Sequence, residues 1–195
     1  MKKFSIFLCV GMLLLASGCG SSYEDYGKSV LQISKKDSVT ELIYDTFDEE
    51  YYIGDELESS VKEEVLAYNT IAGEDLVELK KCKVRDQKVT VMMQYDSTKD
   101  YADFNHIGLF HGKIEEFVAS EYHGYVDLKD KDGEAIPLSS VVASGGKYNV
   151  IALDMDCVIE IKGKIKYVSE GVELISDNTA DVTMNDTAYA YIIYK

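Results

Sequence analysis

The alternation of apolar and polar residues predicts a β-hairpin followed by an amphipathic helix near the start of the folded part. Residues 28–34 and 39–47 are β-rich runs, and the polar segment 35–38 between them is typical of a turn. The helix is expected to begin at Asp55, because Glu58 follows three residues later as in a capping box. Its inward face is formed by Leu57, Val61, Val65 and Tyr68.

A second hairpin and further helical segments are predicted next. Runs 77–85 and 88–95 are separated by two residues, a spacing that places Cys82 opposite Val91 on an inward face. Ser97 then marks a helix start, with Asp100 three residues later. A second helical stripe is formed by Ile114, Phe117, Val118 and Tyr122. The first half is therefore predicted to follow the order β-β-α-β-β-α.

The second half, from Tyr125 onward, has almost only β signals. Residues 187–194 are apolar on both faces, which is typical of a central strand. Residues 157–168 predict a hairpin around the three-residue loop 162–164. In this hairpin we expect three cross-strand pairs, namely Ile161 with Ile165, Ile159 with Tyr167, and Glu160 with Lys166 on the outer side.

These elements together predict an α+β fold of antiparallel β-hairpins, with two or three amphipathic helices packed on one face and a β-rich C-terminal half. The folded part divides into a β-β-α-β-β-α subdomain at 28–122 and a β-rich subdomain at 123–195, or forms one continuous domain over 28–195.

The first nineteen residues have the pattern of an export signal. Lys2 and Lys3 precede an apolar run over 4–15, and the small residues 16–18 stand directly before Cys19. A membrane-spanning helix needs about 20 apolar residues, so this run is too short to span. We expect residues 1–18 to be removed as a signal peptide and residues 19–27 to form a short tether.

The Ala-Ser-Gly-Cys segment at 16–19 resembles the lipobox of bacterial lipoproteins, although the family usually has Leu where this chain has Ala16. The resemblance implies that Cys19 accepts a lipid, such as a palmitate-containing diacylglyceryl group, on the extracytoplasmic side of the membrane. The lipobox, the acidic tyrosine-rich body and the hairpin–helix order also resemble small uncharacterised cell-surface lipoproteins of anaerobic Gram-positive bacteria. That likeness implies a location in the cell envelope and no known activity.

Composition restricts the partners further. The chain of 195 residues has a formal net charge of −15, and loss of Lys2 and Lys3 with the signal makes it more acidic. Such a charge argues against nucleic acid as a partner and against electrostatic docking on anionic lipid. The lipid on Cys19 is therefore expected to provide the membrane anchor. The 46% of hydrophobic residues and the 15 tyrosines indicate a folded domain.

Only Cys82 and Cys157 remain in the expected folded part, so at most one disulfide bridge is possible. Both fall on predicted inward faces. Three interpretations stay open at this point: two buried thiols, one bridge between them, or a reactive nucleophile. No histidine stands near either cysteine in sequence, which makes the nucleophile the weakest of the three.

The three histidines, His106, His111 and His123, are the main candidates for metal chemistry. His106 and His111 are five residues apart, so they lack the spacing of four that stacks two ligands on one helix face. A zinc site would need all three to converge with Glu115 or Glu116. The alternative is that the three histidines are ordinary surface or edge residues that bind no metal. No metal ligand, cofactor or catalytic residue is therefore assigned.

Two acidic segments are weaker candidates for metal binding. Residues 130–133 resemble the middle of a calcium loop, but the first and last loop positions would be Leu128 and Ser139, which lack the required carboxylates. We expect a solvated β-turn there. Asp154 and Asp156 offer two carboxylates at a spacing that is common by chance.

The sequence leaves two classes of function open, a binding module and a hydrolase. Tyrosines beside carboxylates suit the binding of sugars or peptides, although tyrosine also serves as strand filler. The favoured interpretation is a membrane-anchored extracytoplasmic lipoprotein that acts as a non-enzymatic binding or structural module of the cell envelope and contacts a protein, peptide or glycan. The alternative is a metal-assisted envelope hydrolase that uses the histidines.

Overall fold

The computed structural model describes residues 27–46, 53–124, 126–145, 147–185 and 187–195. The expected signal peptide, Cys19 and nearly all of the expected tether lie outside these residues. Within the described ranges, the structure has no helix long and apolar enough to cross a membrane.

The described residues form a mixed α/β structure with thirteen strands and four helices. The strands are β1 (Val30–Ile33), β2 (Val39–Thr46), β3 (Val77–Arg85), β4 (Lys88–Tyr95), β5 (Leu109–Lys113), β6 (Asp127–Asp130), β7 (Ala135–Pro137), β8 (Asn149–Leu153), β9 (Cys157–Ile161), β10 (Ile165–Ser169), β11 (Val172–Leu174), β12 (Thr179–Val182) and β13 (Ala190–Tyr194). The helices are α1 (Gly54–Ala72), α2 (Thr98–Asn105), α3 (Ile114–Val118) and α4 (Leu138–Ala143).

The strands form two sheets. The larger has seven strands in the order β11-β12-β9-β1-β2-β4-β3, and the smaller has six in the order β5-β8-β13-β10-β6-β7. Neighbouring strands are antiparallel except for β1 and β9, which run parallel. In the β3–β4 hairpin, Cys82 lies opposite Val91, the pair that the two-residue turn predicts.

The main core lies between the two sheets. Alternate residues of the seven-stranded sheet, such as Leu31 and Ile159, share one cluster with Ile151 and Ile192 of the six-stranded sheet. Each residue of β13 is buried, because its even-numbered side chains face this core and its odd-numbered ones face the opposite side of the sheet. The run at 187–194 therefore contains the central strand that its apolar pattern predicts.

The helices occupy two separate places, which corrects the prediction that they pack on one face. Tyr101 and Ala102 of α2 belong to the core between the sheets, and the inward face of α1 packs against the same core. Phe117 of α3 and Val141 of α4 instead cover the outer face of the six-stranded sheet. The helix α4 and the strand β5 are short elements that the apolar pattern did not predict.

The predicted hairpin over 157–168 is wrong. β9 pairs with β1 and β12 in one sheet, whereas β10 pairs with β13 and β6 in the other. Residues 162–164 therefore carry the chain from one sheet to the other. Ile161 and Ile165 are both buried in the core between the sheets. The same side chains would be buried in a hairpin, so the apolar pattern fits both arrangements. Glu160 accepts a hydrogen bond from Gln32 at 2.9 Å instead of facing Lys166.

A further difference concerns the start of α1. Helix α1 begins at Gly54 with Ile53 as its N-cap, and this cap makes no side-chain hydrogen bond, so the predicted capping box at Asp55 is absent. For α2, the Ser97 hydroxyl accepts the backbone N–H of Asp100 at 3.1 Å, as its sequence predicts.

Strands from both sides of residue 123 enter both sheets.

Candidate functional site

The most unusual residue in the core is Glu41, on the inward face of β2. Strand alternation directs Val39, Glu41 and Ile43 to the same side, toward the core between the sheets. Only 4% of the Glu41 surface is exposed. A buried carboxylate is costly unless hydrogen bonds compensate for the lost water, so its partners define its role.

Two tyrosines provide these partners. The Tyr95 hydroxyl, at the end of β4, donates to Glu41 Oε2 at 2.9 Å. The Tyr101 hydroxyl, on α2, lies 3.2 Å from Glu41 Oε1 and also 3.2 Å from the Met155 sulfur. The two rings meet edge to face at 4.9 Å, and Asn105 donates to the Tyr95 oxygen at 3.3 Å. The carboxylate is thus held by a network of aromatic hydroxyls on two elements.

Burial controls the protonation of this network. It raises the pKa of the Glu41 carboxyl, and the hydrogen bonds from Tyr95 and Tyr101 offset only part of that effect. Burial, together with the neighbouring Glu41 charge, also raises the pKa of both tyrosines, so their hydroxyls stay protonated. The site therefore has two fixed O–H donors and one acid whose charge is destabilised by its surroundings.

Glu41 lies at a pocket of about 360 Å³ beneath α1, which we call the Glu41 pocket. Its walls are mainly apolar and come from α1, α2 and the inward faces of β2 and β4. Two acids, Asp45 and Glu64, complete the lining and make the pocket more negative. The apolar lining consists of Ile43, Leu57, Val61, Val89, Val91, Met93 and Phe104, with the ring of Tyr95 beside Glu41.

The roof of this pocket is loosely packed. All of α1 lies within the described residues, and none of its 19 residues is buried. Its C-terminal end is tied to β3 by Asn69, whose amide donates to the Val77 carbonyl at 2.8 Å and accepts the Val77 N–H at 3.0 Å. The helix is thus held firmly at one end above a partly open apolar space.

This arrangement suits a ligand with a positive charge and an apolar body. Each Glu41 oxygen accepts one tyrosine hydroxyl, which leaves further lone pairs for a donor. An ammonium group would stabilise the ionised carboxylate, and the aliphatic and aromatic walls would bury the rest of the ligand. The hydroxyls of Tyr95 and Tyr101 remain protonated, so neither of them is activated as a nucleophile.

The three candidate histidines have separate environments. His106 is the left-handed C-cap of α2, and the His123 ring packs edge to face on Phe117. His111 on β5 has both ring nitrogens engaged, Nδ1 with Asp37 and Nε2 with the Tyr194 hydroxyl, each at 2.5 Å. In the part of the chain that the structure describes, no three His, Cys, Asp or Glu side chains are grouped to hold a metal ion. Glu115 and Glu116 lie on α3.

Cys82 and Cys157, the two cysteines within the described ranges, are free thiols. β9, which carries Cys157, and β3, which carries Cys82, are four strand spacings apart in the same sheet, a separation of about 19 Å. A disulfide requires Cα atoms within about 7 Å, so the bridge is excluded. Burial raises the pKa of both thiols, and it does so most strongly at Cys157, which argues against a nucleophilic role.

The acidic segments have structural roles. Asp130 accepts the backbone N–H groups of Asp132 and Glu134, which closes the turn between β6 and β7. Gly133 in this turn has φ +84°, a conformation that favours glycine. The Asp154 carboxylate accepts the Gly108 N–H at 3.0 Å, and Asp156 accepts the Met184 N–H at 2.6 Å. These carboxylates fasten loops and do not converge on one point.

Comparisons of the chain with protein-family models, with curated proteins and with solved structures give no significant match.

Sequence reasoning missed Glu41, although a signal was present. In the run from Val39 to Ile43, an acid stands at a position where strand alternation demands an inward-facing side chain. Tyr95 and Tyr101 belong to the abundant tyrosines that suit a binding platform beside carboxylates. The structure brings these two together with Glu41, but as buried hydrogen-bond donors instead of an exposed platform.

Proposed function

We propose that this protein is a lipid-anchored, non-enzymatic binding module on the extracytoplasmic side of the cell membrane. Its Glu41 pocket would hold a ligand with an ammonium group and an apolar body, such as a peptide amine. The observation that carries the binding proposal is a buried carboxylate beside a pocket with largely apolar walls. The resemblance of residues 16–19 to a lipobox supports the anchor.

Several physical features favour an amine over other ligands. The acids Asp45 and Glu64 add negative charge to the pocket, which attracts cations and repels anions. The Glu41 oxygens accept the hydroxyls of Tyr95 and Tyr101, which are uncharged donors, so a charged donor would strengthen the network. A peptide amine is a ligand that an envelope module would meet outside the membrane.

The binding proposal is tested by titrating the protein with hexylamine and following the signals of residues around the pocket by nuclear magnetic resonance. Glu41→Gln keeps the size of the side chain and removes its charge, so we expect affinity to fall by about tenfold or more. Hexanol, which has a similar apolar body and no charge, should bind more weakly than hexylamine to the natural protein.

The matched control is Glu63→Gln, which removes an exposed charge from α1 outside the pocket lining. This variant should bind hexylamine as the natural protein does. Equal loss in both variants would show that hexylamine responds only to the overall negative charge, and unchanged binding in Glu41→Gln would exclude the pocket as the amine site.

The anchor is tested separately through Cys19. Only a thiol can accept the diacylglyceryl group in this position, so Cys19→Ser should abolish labelling by a metabolic fatty-acid probe and leave the signal peptide uncleaved. Cys9→Ser is the control, because this residue lies within the expected signal peptide and should leave labelling intact. Label retained on Cys19→Ser would refute the lipoprotein proposal.

A further inference from the structure

A second cleft, of about 580 Å³, lies at the other end of the β1–β2 hairpin from the outer part of the Glu41 pocket. It is formed by the turn before β2, the end of β9, β5 and the end of β13. Four lysines line it, and we call it the lysine cleft. They are Lys35, Lys113, Lys162 and Lys195.

This concentration of positive charge is unusual in so acidic a chain. The whole sequence has 20 Lys and Arg residues against 35 Asp and Glu residues, yet the lysines of the cleft outnumber its two acids, Asp37 and Glu116. All four lysines are exposed. Among the residues that the structure describes, Lys35 and Lys113 form no ion pair, so their ammonium groups are free to meet a ligand.

The two acids of the cleft are already engaged. Glu116 Oε2 accepts the backbone N–H of Lys113 at 2.8 Å. Asp37 accepts the Thr98 hydroxyl at 2.8 Å in addition to its contact with His111. Burial alone would raise the pKa of the Asp37 carboxyl, but the hydrogen bonds from His111 and Thr98 outweigh it and lower the pKa. Each carboxylate therefore accepts at least one hydrogen bond from within the protein.

The floor of the cleft is fixed in place. Ionised Asp37 can only accept, so His111 Nδ1 donates to it, while Nε2 of the same ring contacts the Tyr194 hydroxyl. Burial raises the pKa of Tyr194 to about 12, so its hydroxyl remains a donor. This chain of contacts joins the β1–β2 turn of one sheet to β5 and β13 of the other. The lysines thus surround a base that these hydrogen bonds hold in place.

The glycines at the cleft wall permit this close assembly. A Cβ on Gly163 would lie 2.7 Å from the Lys195 carbonyl oxygen and 2.5 Å from the Tyr194 ring. A Cβ on Gly112 would lie 2.9 Å from the Glu116 carboxylate. All three distances are shorter than side chains tolerate, so a larger residue would displace cleft-lining groups.

We propose that the lysine cleft binds a small polyanion, that is, a molecule with two or more phosphate or carboxylate groups. Lys35 and Lys113 offer unpaired ammonium groups, whereas the Lys162 ammonium lies 3.9 Å from the Glu160 carboxylate and the Lys195 ammonium lies 4.3 Å from the centre of the Tyr148 ring. Lysines from separate segments around one cavity match several anionic oxygens at once, whereas a single anion would contact only part of the wall. The net negative charge of the protein repels anions in general, so only a compact, highly charged ligand would gain enough from the local lysines. This site is independent of the Glu41 pocket.

The proposal is tested by calorimetric titration of the purified protein with pyrophosphate and with citrate at low ionic strength. We expect one site per chain for at least one of them, with an affinity that falls as salt is added. A preference for pyrophosphate would identify phosphate as the ligand group, and a preference for citrate would identify carboxylate. Binding of neither would overturn the proposal.

The matched variants carry the same change of charge. Lys35→Gln with Lys113→Gln removes two free ammonium groups from the cleft and should weaken binding by about tenfold. Lys83→Gln with Lys88→Gln removes two exposed lysines from the β3–β4 hairpin and should bind nearly as the natural protein does. Equal weakening in both double variants would mean that the anion responds to net charge alone, and the lysine cleft would be rejected.

Discussion

At the scale of single residues, the buried carboxyl of Glu41 contributes to how the stability of the protein responds to pH. Burial raises the pKa of this carboxyl in the folded state above the value of 4.5 expected for an exposed glutamate. The folded chain therefore holds the proton more tightly than the unfolded chain between the two pKa values. Its contribution to stability is fully present below the unfolded-state pKa and is lost as the pH rises through the folded-state pKa.

The direction of this pH dependence can be tested with the variant Glu41→Gln. The amide cannot ionise, so the free energy of unfolding of the variant should improve relative to the natural protein as the pH rises from about 4 to about 7.5. Urea denaturation across this range measures the difference, and Glu63→Gln at an exposed position serves as the reference. A pH-independent difference between Glu41→Gln and the natural protein would mean that Glu41 ionises as freely when folded as when unfolded.

At the scale of elements, the decisive feature is the partner of β9. The apolar pattern of 157–168 fits a hairpin, but the structure pairs β9 with β1 in parallel, so that Gln32 and Glu160 are register partners and hydrogen-bond at 2.9 Å. Cross-strand pairs of this kind contribute a few tenths of a kcal/mol to about 1 kcal/mol.

A pair of double-mutant cycles separates the two arrangements. The cycle with Gln32→Ala and Glu160→Ala should give a coupling energy of about 0.5 kcal/mol in denaturant titrations. The cycle with Glu160→Ala and Lys166→Ala should give a value near zero, because β9 and β10 belong to different sheets. A larger coupling energy for Glu160 with Lys166 than for Gln32 with Glu160 would instead support a hairpin of β9 and β10.

At the scale of the whole molecule, the sheet order keeps the two thiols apart. Cys157 is fully buried in the core, whereas Cys82 near the sheet edge is partly exposed beneath α1. Alkylation of Cys157 requires the core to open, which costs several kcal/mol, so Cys82 should react more than about tenfold faster.

Mass spectrometry of the alkylated peptides after timed exposure to iodoacetamide checks this order, and the same samples unfolded in urea provide the reference rates. Oxidation of the native protein should produce no Cys82–Cys157 bridge. Detection of that bridge in folded protein would contradict the seven-stranded order.

Much of the local structure follows from the sequence, because turns, helix caps and strand patterns depend on residues that are close to one another along the chain. The two-residue turn sets the β3–β4 register, Ser97 caps α2, and the unbroken apolar run sets β13 at the centre of a sheet. Prediction fails where short elements such as β5 and α4 have too few residues to show a period. It fails again for the α1 cap, because Asp55 lies inside the first turn.

The sequence by itself determined the β-rich mixed character of the chain, the positions of its longer elements and the expectation of a lipid-carrying Cys19. Only the tertiary structure decided that β9 leaves its sequence neighbour β10 for β1, more than a hundred residues earlier. It also decided that Glu41 meets Tyr95 and Tyr101, and that four lysines from separate elements surround one cleft. Periodicity tells which side of a strand is buried, but both sheets bury their apolar sides in the same core. The pattern is therefore satisfied equally by several pairings, and only the contacts between distant segments choose among them.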